Sequence, residues 1–242
     1  MRKDLKKMEI KAVLFDLDGT LLPMDQDEFV KTYFKLLAVK LAPRGYEPKQ
    51  LIESLWLGVS DMVKNDGSKI NEEAFWDRFA AIYGENTLND KPVLEEFYGN
   101  EFHQAKAVCG TNPDAKGIVE GLRASGKKVV LATNPIFPAV ATKSRMSWVG
   151  LSPEDFDYYT TYENSRFSKP NLKYYEGILK LIDCKPEECL MVGNDVSEDM
   201  ITEKLGMKVF LLTDCLINKS EEDISKYPHG NMEDLKAFLN CL

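Results

Sequence analysis

Ala12-Val13-Leu14-Phe15-Asp16-Leu17-Asp18-Gly19-Thr20 joins an apolar run directly to a pair of carboxylates and a glycine. A continuous apolar run of this kind reads as a strand buried on both faces, as in the middle of a parallel sheet. Open α/β sheets place their ligands at the carboxyl ends of the strands, where Asp16 and Asp18 stand. Gly19 lets the backbone turn away at once. Two carboxylates about 4 Å apart at an effective dielectric of about 20 repel by roughly 4 kcal/mol, so the junction asks for a cation or a raised pKa. Asp and Gly also form plain turns, which is the competing reading. An EF-hand loop has glycine sixth and glutamate twelfth. Counted from Asp16, glycine is fourth and the twelfth residue is Asp27, so the spacing rejects calcium.

Outward from this junction two textures follow. From Met24 to Gly110 the apolar residues keep helical spacing. Phe29, Tyr33, Leu36, Leu37 and Leu41 mark one helix, and Leu51, Leu55, Val59 and Met62 a second. Phe75, Phe79 and Ile82 mark a third; Val93, Leu94, Phe97 and Phe102 suggest a fourth. Beyond Asn112, helices alternate with apolar strands at Val129–Ala132, near Tyr158–Thr161, at Cys189–Val192 and at Val209–Leu212. The helices are expected over 114–124, 138–148, from Pro170 through Ile182, over 197–205 and over 232–239. Strands separated by helices make βαβ units and a parallel sheet with right-handed crossovers. The fold class is therefore α/β, a Rossmann-like doubly wound sheet. Residues 1–23 and 111–242 form its core, and 24–110 are an all-helical insertion.

The 242 residues suit one large α/β domain or a core with an insertion. A hydrophobic fraction of 44%, a charged fraction of 29% and a net charge of −8 describe an ordinary acidic globule. Its lysines are dispersed, with only a small basic lead-in at Arg2, Lys3, Lys6 and Lys7, which argues against a nucleic-acid partner. No apolar stretch approaches membrane-spanning length and no signal-peptide core is visible, so a cytoplasmic protein is expected. Cys109, Cys184, Cys189, Cys215 and Cys241 form neither a disulfide framework nor a Cys-Xaa-Xaa-Cys pair.

Four strand ends carry polar clusters suited to phosphate. Besides Asp16 and Asp18 there is Thr133-Asn134, whose hydroxyl, amide and following backbone N–H groups can hold an anionic oxygen, or simply form a turn before Pro135. Lys169, before Pro170, is expected near a helix N-terminus, where it would compensate phosphate charge. Gly193-Asn194-Asp195 ends a strand, and Asp199 follows one helical turn later; these acids read as helix capping or, with Asp16 and Asp18 on a neighbouring strand, as metal ligands.

In that order, Asp16-Xaa-Asp18-Gly19-Thr20, Thr133, Lys169 and Gly193-Asn194-Asp195 with Asp199 resemble the four motifs of the haloacid dehalogenase superfamily. The helical insertion is similar to the C1-type cap of its first subfamily. The resemblance implies that Asp16 is a nucleophile forming an aspartyl-phosphate, and that Asp18 protonates the leaving oxygen and then activates water. It implies Mg²⁺ held by Asp16, the Asp18 carbonyl and Asp195, with Thr133, the Asn134 backbone and Lys169 binding phosphate. Asn194 stands where some members carry a second acid and is expected beside the ligands rather than among them. Asp199 is expected to orient metal-bound waters or Lys169. Dehalogenases and phosphonate-cleaving members lack an acid at the position of Asp18, which favours phosphoryl transfer.

The expected function is a Mg²⁺-dependent phosphatase acting on a small phosphorylated metabolite. A phosphosugar mutase and a non-catalytic phosphate-binding scaffold are the alternatives. His103 and His229 lie outside every motif and read as structural. Trp56, Trp76 and Trp148 read as packing, and Lys64 and Arg78 as solvated helix faces.

Overall fold

The computed structural model describes residues 9–241. The basic lead-in at Arg2, Lys3, Lys6 and Lys7 lies outside the described residues. In chain order the elements are β1 (Ala12–Phe15), α1 (Gln26–Leu41), α2 (Pro48–Val63), α3 (Asn71–Tyr83), α4 (Lys91–Gly99), α5 (Ala115–Ala124) and β2 (Lys128–Leu131). They continue as α6 (Ala139–Trp148), β3 (Tyr158–Tyr159), α7 (Leu172–Leu181), β4 (Cys189–Gly193), β5 (Lys208–Leu212), β6 (His229–Gly230) and α8 (Met232–Leu239).

The strands form one parallel sheet in the order β3-β2-β1-β4-β5-β6. β1 lies inside it, with Phe15 in register with Leu131 of β2 and Val192 of β4. The apolar runs divide by the period of two that a pleated strand imposes. Val13, Phe15, Val129, Leu131, Leu190 and Val192 join the core under α1–α6 and α8. Ala12, Leu14, Val130 and Met191 join the opposite core with Tyr174, Tyr175, Ile178 and Leu179 of α7. Chain order reverses direction in the sheet between β1 and β4, and that crevice is where a doubly wound sheet binds ligands.

The regular elements from Gln26 to Val108 are all helical, as the periodicity of this stretch predicts. Asp25 caps α1 by accepting the Glu28 N–H at 3.0 Å, and Glu47 caps α2 just before Pro48 at the first helical position. These helices are tied to the strand ends by buried polar contacts. The Asn71 side chain donates to the Pro135 carbonyl and to Ser168 Oγ, both at 3.0 Å. Ser168 Oγ donates to the Met62 carbonyl at 3.2 Å, and Ser144 Oγ to the Tyr98 carbonyl at 3.0 Å.

Several element boundaries differ from the sequence expectation. α4 stops at Gly99, where Asn100 leaves helical dihedrals, and Phe102 belongs to a separate 3₁₀ segment, Glu101–Val108. Pro170 does not open α7; Asn171 does, accepting the Lys173 N–H at 3.0 Å. The expected 197–205 helix is a turn followed by a 3₁₀ segment, Met200–Leu205. There the Asp199 side chain bonds the Asp195 N–H at 3.0 Å and Thr202 Oγ1 donates to the Asp199 carbonyl at 2.8 Å, local bonds that compete with an α-helical start. β6 is two residues long, too short to leave an apolar signature.

Candidate active site

Asp16 follows β1, and its N–H donates to the Val192 carbonyl at 2.9 Å, which continues the ladder with β4. Its carboxylate is held from two sides. Lys169 Nζ donates to Oδ1 at 2.8 Å, and Thr20 Oγ1 to Oδ2 at 3.2 Å. Lys169 is buried and also donates to Asp199 Oδ1 at 2.6 Å. Burial alone would lower the Lys169 pKa, but Asp16 and Asp199 hold it well above its ordinary value. Carboxylates, rather than the helix N-terminus expected from Pro170, fix this ammonium.

Gly19 and Asn194 explain each other. Gly19 has φ of +87°, and a Cβ there would fall 2.2 Å from Asn194 Nδ2. Asn194 is buried; it accepts Thr20 Oγ1 at 3.0 Å and donates to the Cys215 carbonyl at 2.7 Å. The amide thus ties the turn after β1 to the loop after β4. Gly193 makes similar room, since a Cβ there would meet Asp199 Oδ2 at 2.1 Å.

Asp195 lies on the neighbouring loop, where its Oδ1 accepts the N–H groups of Ser197 and Glu198 at 2.7 and 2.9 Å. Thr133 and Asn134 follow β2. The Asn134 amide donates to Glu198 at 3.1 Å and accepts the Lys169 N–H at 3.3 Å. The Thr133 carbonyl accepts Thr160 Oγ1 at 2.7 Å and Tyr174 O–H at 2.8 Å, which anchors its backbone. Asp16, Asp18, Thr133, Asn134, Asn194, Asp195 and Asp199 all border one cavity of about 1490 Å³. Lys169 does not border the cavity itself but contacts two of these residues, Asp16 and Asp199.

Sequence reasoning missed Arg145. This α6 residue is fully buried, with Nη1 3.0 Å from Asp18 Oδ2. Its guanidinium carbon lies 4.1 Å from the centroid of the Phe137 ring, a cation–π arrangement. Nε and Nη1 have no hydrogen-bond partner, so the Asp18 contact is an ion pair by distance and not by angle. No motif flags an arginine at this position; a charged residue among the buried residues of α6 is the hint. Glu198 also escaped notice.

The local charge is unbalanced. Asp16, Asp18, Asp195, Glu198 and Asp199 face Lys169 and Arg145. Burial pushes Asp18 up to about 6, Arg145 drawing it down and Asp16 adding to the rise. Burial likewise pushes Glu198 up to about 7 against the pull of Lys169, and it raises Asp199 despite the same ammonium. Such a cluster favours a cation. Asp16, Asp195 and the Asp18 carbonyl offer hard oxygen donors, which fit Mg²⁺, an ion that keeps several of its waters. Among the described residues no three His, Cys, Asp or Glu side chains gather into a cage of their own. Trp56 and Trp76 border the cavity; Lys64 and Arg78 do not. Arg78 is paired with Asp61 at 2.8 Å. Trp148 Nε1 donates to His103 at 2.9 Å, a structural contact.

Residues 10–202 match the model of the haloacid dehalogenase-like hydrolases, and the chain belongs to that family. It is similar to a glyceraldehyde 3-phosphate phosphatase of Methanothermobacter thermautotrophicus, 26% identical over 90% of this chain and 92% of that protein. Pyrophosphatase PpaX of Bacillus thuringiensis is also 26% identical, over 96% of this chain and 98% of its own. The fold is similar to that of a HAD phosphatase from Thermococcus onnurineus, with a TM-score of 0.58 at 20% identity, covering 95% of this chain and 98% of that one. Within the family the chain sits with phosphatases. No helix among the described residues is long and apolar enough to cross a membrane.

Proposed function

We propose that the protein is a Mg²⁺-dependent phosphatase that hydrolyses a small phosphorylated metabolite through an aspartyl-phosphate on Asp16. One observation carries this reading: a carboxylate gripped by Lys169 and Thr20 lies in the same cavity as a second carboxyl, Asp18, raised to about 6. The first has the surroundings of a nucleophile, and the second those of an acid–base group working near neutral pH.

In the first step an Asp16 oxygen forms a bond to phosphorus while the bond to the ester oxygen breaks. The departing alkoxide takes the Asp18 proton. Asp18 Oδ1 is buried and has no hydrogen-bond partner, which leaves it available to that oxygen. In the second step a water oxygen forms a bond to phosphorus and gives its proton to Asp18 as the bond to Asp16 breaks. Ester and water have become alcohol and phosphate, and both carboxyls are restored. Thr133, the Asn134 backbone and the Lys169 ammonium hold the phosphoryl oxygens as charge moves among them. Asn194 braces the Asp16 turn, and Asp199 holds Lys169 in place. Arg145 restrains Asp18 from behind. Asp16, Asp195 and the Asp18 carbonyl would hold Mg²⁺, which supplies positive charge to the phosphoryl group. Residues 24–110 act as a cap over the strand ends, keeping bulk water from the ester.

Hydrolysis of an aryl phosphate with Mg²⁺, lost on chelation and in Asp16→Asn, is the expected result. Full activity in Asp16→Asn would overturn the mechanism. Release of inorganic phosphate from a hexose phosphate, rather than formation of an isomer, separates hydrolysis from mutase chemistry.

A further inference from the structure

Asn71 belongs to none of the strand-end clusters, yet it is fully buried where the inserted helices meet the core. It opens α3, and the residue before it, Ile70, has no side-chain oxygen with which to cap the helix. Core carbonyls take that place. The Asn71 N–H donates to the Ser165 carbonyl at 2.8 Å, and the Glu72 N–H to the Tyr162 carbonyl at 2.9 Å. The first N–H groups of a helix have no partner within it; here the loop that leads to Lys169 supplies them.

The side chain reaches further into the core. Nδ2 donates to the Pro135 carbonyl and to Ser168 Oγ, both at 3.0 Å, while Oδ1 accepts Asn65 Nδ2 at 2.9 Å. Both donor hydrogens are thus assigned, and the partners fix which way the amide faces. Pro135 directly follows Asn134, and Ser168 directly precedes Lys169. The two phosphate-binding segments therefore meet at one amide. Within the core they are joined by the Lys169 N–H, which donates to Asn134 Oδ1 at 3.3 Å. That is longer than a usual N–H···O bond, so the bridge through Asn71 is the tighter of the two.

The neighbouring contacts seat this bridge. Ser168 Oγ donates onward to the Met62 carbonyl at 3.2 Å, and Arg166 Nη1 to the Ser68 carbonyl at 3.1 Å. Gly67 lies so close to the Phe167 ring that a Cβ there would fall 2.3 Å from Cζ. Residues 62–72 and 162–168 are interlocked along the stretch that runs into Lys169. Ser144 Oγ makes another buried bond between insertion and core, to the Tyr98 carbonyl at 3.0 Å, but it is bonded to neither phosphate-binding segment.

We infer that Asn71 is a positioning residue for the phosphoryl group: from α3 it sets the spacing of the Asn134 and Lys169 segments. The inserted helices then complete the phosphate site through Pro135 and Ser168 rather than through the substrate. This rests on the phosphatase reading and deepens it for the same site.

Orthophosphate is the probe, because it carries the phosphoryl oxygens and nothing that could reach the inserted helices. Its Ki against an aryl phosphate, with Mg²⁺ present, is measured for the wild type and for three variants. Asn71→Ala should raise Ki about tenfold, roughly the worth of one hydrogen bond. Ser168→Ala, which leaves the Pro135 bond in place, should raise it about threefold. Ser144→Ala should stay within about twofold of the wild type, although it too removes a buried bond between insertion and core. The Asn71→Ala/Ser168→Ala double variant should lie within about twofold of Asn71→Ala, since the two share a bond. An unchanged Ki in Asn71→Ala with turnover intact overturns the positioning role and leaves the phosphatase reading standing. An equal rise in Ser144→Ala overturns it as well, since any loosening of the two parts would then suffice. Should Asn71→Ala not fold, Ser168→Ala and amide hydrogen exchange of the wild type decide. Coupling is reciprocal, so orthophosphate should slow exchange of the Asn71 and Glu72 N–H groups, and no slowing overturns the role. Should the wild type hydrolyse no ester, the phosphatase reading fails, and calorimetric binding of orthophosphate to the same variants decides the role of Asn71. Absence of that binding in the wild type overturns both.

Discussion

Replacing Arg145 by methionine keeps a long side chain on α6 but removes the guanidinium 3.0 Å from Asp18. Even with that partner, burial holds Asp18 at about 6 against an ordinary 3.8. At about 1.36 kcal/mol per pH unit, the native state at neutral pH already carries roughly 3 kcal/mol for keeping this carboxyl ionised. Removing one partner of a buried pair costs about 3–5 kcal/mol. The lower end applies here, because the Asp18 side chain is still 16% exposed. The cost must depend on pH. A carboxyl whose folded pKa lies above its unfolded value destabilises the fold once ionised, and relief comes as pH falls through the folded pKa. Arg145→Met raises that folded pKa further, so its penalty should be about 3 kcal/mol at pH 8 and markedly smaller at pH 5.5. Urea unfolding with chelator present, at both pH values, measures this. The double-mutant cycle with Asp18→Asn should return a coupling of at least about 2 kcal/mol. A penalty below about 1 kcal/mol, the same at both pH values and with no coupling, would refute the electrostatic reasoning. Under the proposed mechanism the pH–rate profile of the variant also moves to higher pH.

Lys169→Met strips the ammonium from Asp16 and Asp199; kcat for aryl phosphate hydrolysis should fall at least 100-fold, as when a charge-stabilising donor is lost. Gly19→Ala forces a Cβ at φ +87° into Asn194, and thermal or urea unfolding should show a loss of about 2 kcal/mol or more. Treatment with EDTA should abolish turnover and added Mg²⁺ restore it, with the far-ultraviolet circular dichroism unchanged throughout. His103→Ala, which removes only the Trp148 partner, should leave kcat/KM within about twofold in the same assay.

Much of this was legible along the chain. A strand buried on both faces needs an unbroken apolar run, so β1, β2, β4 and β5 declare themselves. The switch from helical spacing to alternating elements locates the inserted helices. Asp16, Asp18, Thr133, Asn134, Asn194, Asp195 and Asp199 are visible because strand ends are where short polar clusters interrupt apolar runs. Beside Lys169, Pro170 suggested a helix start, while the ammonium is in fact held by Asp16, just after β1, and by Asp199, in the loop after β4.

What local pattern cannot carry is the meeting of side chains distant in sequence. Arg145 is an unremarkable helix residue until α6 packs under the turn after β1 and its charge is buried against Asp18. Asn194 meets Thr20, 174 residues away in the chain, and lies against Gly19, contacts that its position in the sequence does not reveal. The alternation of apolar and polar residues is a one-dimensional signal of burial, so the sequence determined the layers of the fold and the strand ends that carry the polar clusters. Counter-ions, orphaned atoms and the cavity depend on distances across the closed fold, and those only the tertiary structure decided.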